Sequence, residues 1–137
     1  MRPPIGLQLT RTAHAATQAF ERAMAEAGGS ASAWQVLLLV RSGQWDTQSG
    51  LAKAMGVTGA TMTHHLNALE KKGLVRRWRE DANKRVQQVE LTASGVELFD
   101  RLRGAAMRHD NRLRSRLSAK ELEQLATLLV KLADSGD

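Results

Sequence analysis

Residues 48–67 read QSGLAKAMGVTGATMTHHLN, and residues 74–91 read LVRRWREDANKRVQQVEL. The first stretch has the pattern of two short helices crossing through a tight turn. Leu51, Met55, Val57 and Met62 supply apolar contacts, and Ala52 is small where the second helix must pass close. Gly56 follows four residues later, where the turn needs a positive φ that glycine adopts without a Cβ penalty. The first of these helices is expected to follow Thr47 and run to about Met55. The second starts after Thr58 and ends at Gly73, with Met62, Leu66 and Leu69 on its inward face. The segments Leu74–Arg79 and Val86–Leu91 alternate as strands do. Joined by the charged turn Glu80-Asp81-Ala82-Asn83-Lys84, they read as a hairpin. A helix-turn-helix followed at once by a hairpin is the winged variant.

The outward side of the second helix carries Thr61, His64, Asn67 or Ala68, and Lys71. A recognition helix reads bases from its N-terminal end and exposed face. That end is here Thr58-Gly59-Ala60-Thr61, small and polar enough to approach a groove floor. Threonine methyls suit the thymine methyl, threonine hydroxyls suit base edges or phosphates, and His64 offers a donor to guanine or phosphate. A merely solvated polar face is the alternative. The hairpin adds Arg76, Arg77, Arg79, Lys84 and Arg85. A guanidinium at a hairpin tip can enter a narrow, A·T-rich minor groove, where negative potential concentrates. Arg85 is best placed for that, and Lys84 for phosphate.

Outside this unit the chain is helical. After Pro3-Pro4, the residues Leu9, Ala13, Ala16, Phe20, Ala23, Met24 and Ala27 form one apolar stripe that Gly28-Gly29 ends. A further helix is expected after Ser32, with Gln35 completing a capping box; it carries Trp34, Leu37, Leu38 and Val40 and stops near Gly43. Thr92 caps a long helix reaching about Arg116. Ser118 and Glu121 form a capping box for a last helix bearing Leu122, Leu125, Leu128, Leu129 and Leu132. The fold class is mainly α (α+β), a winged helix-turn-helix between flanking helices.

Composition narrows the function. With 137 residues the chain suits one domain. Twenty basic against 14 acidic side chains leave a net charge of +6. Residues 50–91 hold eight basic and four acidic side chains, and the segments on either side are each only one charge positive. A local excess fits a face that neutralises phosphates, and equally a surface kept soluble by Lys and Arg. The absence of cysteine excludes disulfides, thiolate zinc sites and thiol chemistry. No apolar run approaches the ~18–20 residues of a membrane span, and no apolar signal core follows Arg2, so the expected location is cytoplasmic. There is no phosphate-cradling glycine loop, no nucleophile elbow and no acid–base carboxylate pair, so an enzyme is not expected.

Three stretches together resemble the MarR family of transcriptional regulators. They are Leu51-Ala52-Lys53-Ala54-Met55-Gly56-Val57, then Leu69-Glu70-Lys71-Lys72-Gly73-Leu74-Val75-Arg76-Arg77, then Asn83-Lys84-Arg85 with Val89-Glu90-Leu91-Thr92-Ala93-Ser94-Gly95. The resemblance runs over almost the whole chain. It implies a single domain over 1–137, with a winged DNA-binding unit at 30–91 and dimerisation helices at 5–27 and 93–134. It implies a homodimer that binds double-stranded DNA at a pseudo-palindromic operator, as a repressor relieved by a small aromatic or anionic effector. Arg85 matches the family's wing arginine. Thr58–Asn67, with Thr63 among them, match its recognition helix. Two positions depart: Asn83 stands where Asp is common, which predicts a looser wing, and His64 where Arg is common.

The expected DNA-binding residues are therefore Thr58, Thr61, Thr63, His64, Asn67, Lys71, Lys84 and Arg85. An effector pocket could use Trp34 as a wall and Arg11 or His14 as a cation, though Trp34 also reads as core. No metal or other cofactor is expected. His64 and His65 are adjacent and project about 100° apart on a helix, and no two histidines lie four apart. The run Arg101, Arg103, Arg108, Arg112, Arg114 and Arg116 reads as a solvated helix face rather than a second DNA surface, because Asp100, Asp110, Glu121 and Glu123 balance it. The competing functions are a winged-helix protein-interaction module and a regulator without a ligand.

Overall fold

The chain runs through α1 (Ile5–Glu26), α2 (Ala31–Arg41), α3 (Gln48–Met55), α4 (Gly59–Lys71), β1 (Val75–Glu80), β2 (Asn83–Leu91), α5 (Ala93–Arg114) and α6 (Ala119–Ala133). These elements come from a computed structural model describing residues 2–134, so the outermost residues of the expected 1–137 domain lie outside the described residues. The architecture is mainly helical, with one two-stranded antiparallel sheet, and it is a winged helix. No described helix is long and apolar enough to cross a membrane.

Five of the six helices start on a hydroxyl that accepts a backbone N–H two or three residues into the helix, satisfying a donor the helix leaves unpaired. Thr47, Thr58 and Thr92 do this for α3, α4 and α5. Ser118 with Glu121 forms the full capping box of α6. On α2 the cap is Ser30, which accepts from Ala33, and not the expected Ser32 with Gln35. The helix thus starts one residue before Ser32, whose hydroxyl sits 3.3 Å from that of Ser30. Gly56 closes α3 in the left-handed region, at φ +68°. Its N–H donates to Lys53 and that of Val57 donates to Ala52, the paired closure that turns the chain sharply into α4.

The core forms under this turn. Leu51 from α3 and Met62 and Leu66 from α4 are fully buried with Met24, Val36, Leu37 and Leu102. Each such side chain contributes about 1.5–3 kcal/mol by leaving water. Leu38, expected on the apolar side of α2, is instead exposed. Helix α5 lays Leu98, Phe99, Leu102, Ala105 and His109 inward at three- and four-residue spacing. Trp34 stacks on Phe99 (centroids 5.4 Å apart, planes at 15°), and Phe20 meets His109 edge-on at 5.4 Å.

The hairpin differs from its expected outline. Strand β2 begins at Asn83, three residues early, so the connection shrinks to Asp81 and Ala82. The register jumps from Arg79 opposite Gln87 to Glu80 opposite Asn83. Lys84, Arg85 and Val86 are thereby left without cross-strand partners, and the irregularity thrusts the two basic residues out of the ladder. The segment before α3 joins the sheet as well: Thr47 bridges Gln88, and the Val89 N–H donates to Asp46 at 2.9 Å. The wing is thus fastened at its base to the start of the helix-turn-helix.

Helix α6 has no buried residue. Leu125, Leu128, Leu129, Val130 and Leu132 are exposed on it, as are Ile5, Leu7 and Leu9 on α1.

Candidate nucleic-acid interface

The N-terminus of α4, the adjoining face of α3 and the wing enclose an open groove of about 820 Å³. Its walls include Lys53 of α3, Gly59 at the start of α4, and Arg79 and Arg85 of the wing. None of these three cations is in an ion pair among the described residues. Lys84 extends beside Arg85, and both are exposed. Gly59, the first residue of α4, borders the same space, and the partial positive charge of a helix start favours an anion. The groove is positive from three sides, which suits a phosphate backbone.

The expected recognition residues fall into distinct settings. Thr58 caps α4: its hydroxyl accepts from the Thr61 N–H at 3.1 Å and donates to the Thr61 hydroxyl at 3.1 Å. Thr61 is exposed, and because its oxygen already accepts from Thr58, its own O–H is free to donate outward. His64 and Lys71 are exposed on the same side of α4. Thr63 is half-buried, and the Gln48 amide donates to its hydroxyl at 2.6 Å. That ties Thr63 into the joint between α3 and α4. Asn67 is exposed, and its Oδ1 accepts from the Arg77 guanidinium. His65 is half-buried, with its ring 6.1 Å from that of His64.

Arg77 has a place the sequence did not reveal. Its side chain is only 15% exposed. It donates to Glu70 at 2.9 Å, to Asn67, and at 3.5 Å to the Gln48 carbonyl, while its backbone N–H donates to Glu70 at 3.2 Å. One guanidinium therefore joins α3, α4 and β1. The hydrogen bond from that guanidinium holds the Glu70 carboxyl below its ordinary carboxylate range. Sequence lists Arg77 merely as one of five hairpin cations. The opposite charges of Glu70 and Arg77 on adjoining elements were the available signal, and only the fold shows that they meet. Arg76 alternates to the other face of the strand, where it pairs with Glu90 at 2.6 Å and lies 4.3 Å over the Trp78 ring. Of the five hairpin cations, Arg79, Lys84 and Arg85 stay free of ion pairs among the described residues.

Asn83 holds the wing tip through the backbone: its Oδ1 accepts from the Arg85 N–H at 3.3 Å, a turn that asparagine forms within its own segment. The expected effector residues lie on two helices, Arg11 and His14 one turn apart on α1 and Trp34 on α2. Trp34 is engaged with Phe99, whereas Arg11 and His14 are exposed on α1. Phe99 and His109, which mark the Trp34 and Phe20 ends of α5, lie ten residues apart, about 15 Å of helix at 1.5 Å per residue. A different cavity, of about 310 Å³, opens between α1 and α5, with Ala15, Ala16 and Ala19 on one wall and His109, Arg112 and Arg116 on the other. Among the described residues no three His, Asp or Glu side chains are grouped as metal ligands.

The MarR family model matches residues 30–86. A candidate transcriptional regulatory protein for the hcr operon of Thauera aromatica is 31% identical over 129 residues, covering 93% of this chain and 78% of that protein. Among solved structures, the S. aureus MepR–DNA complex superposes with a TM-score of 0.87 at 25% identity, over 98% of this chain and 100% of that one. The transcriptional repressor CouR bound to a 23-mer DNA duplex gives 0.84 at 26% identity, over 95% and 92%.

Proposed function

The chain belongs to the MarR family, whose relatives here are transcriptional regulators and not enzymes, and from that premise we propose that it is a dimeric repressor that binds a pseudo-palindromic operator. The observation that carries this reading is the groove between α4 and the wing, with Lys53, Arg79 and Arg85 on its walls. Helix α4 enters a major groove with Thr58, Thr61, His64, Asn67 and Lys71 toward the bases and backbone, and Thr63 braces it from within. The wing lays Arg85 in the flanking minor groove and Lys84 on phosphate. Basic side chains supply salt-dependent affinity, and the exposed face of α4 supplies discrimination. DNA is bound likewise by the structurally similar MepR and CouR.

The homodimer reading is supported by the exposed leucines of α6 and the exposed apolar residues Ile5, Leu7 and Leu9 at the start of α1, apolar surface that a partner copy would cover. Helices 5–27 and 93–134 then form the interface and residues 30–91 the DNA-binding unit. Bound at a promoter, the dimer represses by excluding polymerase, and its place is the cytoplasm with the chromosome. The effector reading draws its support from the cavity between α1 and α5. It has an alanine wall and two guanidiniums, which suit a small anion, in addition to the expected Arg11, His14 and Trp34. Such a ligand releases DNA only by binding more tightly to a dimer whose two wings no longer match the half-site spacing.

Footprinting on the DNA around the protein's own coding region tests the reading. A two-fold protected site at moderate salt is expected, and uniform, sequence-independent protection would refute specific repression.

A further inference from the structure

We propose that Arg77 is a positioning residue that fixes which base edge Asn67 reads; this rests on the DNA-binding reading above. A guanidinium can only donate, so the Asn67 atom facing it is the carbonyl oxygen, and the amide NH₂ is turned the other way. The orientation is held firmly. Arg77 is mostly buried and anchored by two bonds to Glu70, with Gln48 of α3 beside it. Gln48 is in turn bonded to Thr63, one turn before Asn67 on α4. The brace therefore spans three elements and ends on one exposed side chain of the recognition helix.

The chemical consequence is specific. A free asparagine pairs best with adenine, accepting from N6 and donating to N7. With its oxygen committed to Arg77, Asn67 presents donors alone. It then selects acceptor edges: guanine O6 and N7, or thymine O4.

The test is the base preference of the wild-type chain, Arg77→Met, Arg77→Lys, Asn67→Asp and Asn67→Ala across every single-base substitution of the footprinted site. The wild type should prefer guanine or thymine at one position per half-site by about tenfold, the scale of one good base contact. Arg77→Met should lose that preference or shift it toward adenine. It should leave the other positions, non-specific affinity and the salt slope unchanged, and Arg77→Lys should restore part of the preference. Asn67→Asp keeps an acceptor for Arg77 but has no donor, so it should lose the preference as fully as Asn67→Ala. Both substitutions are at an exposed position and leave the core intact. Arg77→Met combined with Asn67→Ala should lose no more than Asn67→Ala alone. The proposal is overturned if Arg77→Met keeps the wild-type profile, or if it weakens all sequences equally with a shallower salt slope, as loss of a phosphate contact would. It is overturned too if Asn67→Asp retains the preference. A wild-type chain without any protected site would instead overturn the DNA-binding reading itself.

Discussion

A Cβ built on Gly95 would stand 2.0 Å from the carbonyl oxygen of Leu74. Helix α5 can start against the base of the wing only because residue 95 has no side chain. Thr92 secures the same junction, its N–H donating to Leu74 at 3.1 Å and its hydroxyl to Gly73 at 2.6 Å. Gly95→Ala should therefore destabilise the fold by at least the ~1–3 kcal/mol typical of overpacking, because backbone and not a flexible side chain must move. Thermal unfolding should show a lowered midpoint; an unchanged one would mean that the junction is softer than its geometry.

Gly59 is the opposite case. A Cβ there meets nothing within 4 Å, so packing does not require glycine at the first residue of α4. Gly59→Ala should stabilise the chain by up to about 1 kcal/mol, through reduced freedom of the unfolded state and better helix propensity. The added methyl stands in the groove between α4 and the wing, so operator affinity should fall while the melting temperature rises. The pair of opposite changes is measured by calorimetry and by gel-shift titration.

Much of the fold could be read along the chain because its signals are local. Thr47, Thr58, Thr92 and the Ser118–Glu121 pair are caps recognisable from sequence, and Gly56 and Gly73 mark turns they do form. The cap of α2 is ambiguous in the sequence because Ser30 and Ser32 both have a capping hydroxyl, and only the backbone shows that Ser30 is the extended one. The true start of β2 is hidden in the sequence because Asn83-Lys84-Arg85 has turn composition, and the register irregularity that accommodates it is set by pairing across the hairpin. Of the candidate site, exposed residues such as Thr61 and Arg85 followed from helical period and hairpin position. The Gln48–Thr63 and Arg77–Asn67 bonds join residues 15 and 10 positions apart on different elements, and no local pattern encodes them.

The Glu70–Arg77 pair gives stability a particular dependence on acid. The Arg77 hydrogen bond lowers the Glu70 pKa in the folded chain, so the unfolded chain binds a proton at higher pH than the folded one. The contribution is complete above the ordinary carboxylate value and is lost as pH falls through the lowered folded value. Because the Glu70 side chain is 41% exposed, it should amount to no more than about 1 kcal/mol. Glu70→Gln should lower the melting midpoint at neutral pH and reduce its drop between neutral and acid pH. A drop as steep as that of the wild type would place the acid sensitivity elsewhere.

The exposed face of α6 should be covered by a second copy. Leu125→Asp combined with Leu129→Asp removes two apolar side chains per protomer, each contributing about 1.5–3 kcal/mol when buried, and counts twice in a symmetric dimer. Sedimentation should show a dimer for the wild type and a monomer for the double variant at micromolar concentration. Neither residue is buried within one chain, so the helical signal should survive. A variant that remains dimeric would move the interface off α6.

The account centres on a wing that meets DNA through Arg85, and the salt dependence of operator binding probes that contact most directly. Titrations over a range of salt should give a linear plot of log affinity against log salt for the wild type. Arg85→Ala, at an exposed position without a cross-strand partner, should bind about tenfold more weakly at moderate salt, with a slope smaller by about one. Unchanged affinity and slope in a folded Arg85→Ala chain would contradict the account, because an exposed wing cation of the groove would then lie off the DNA.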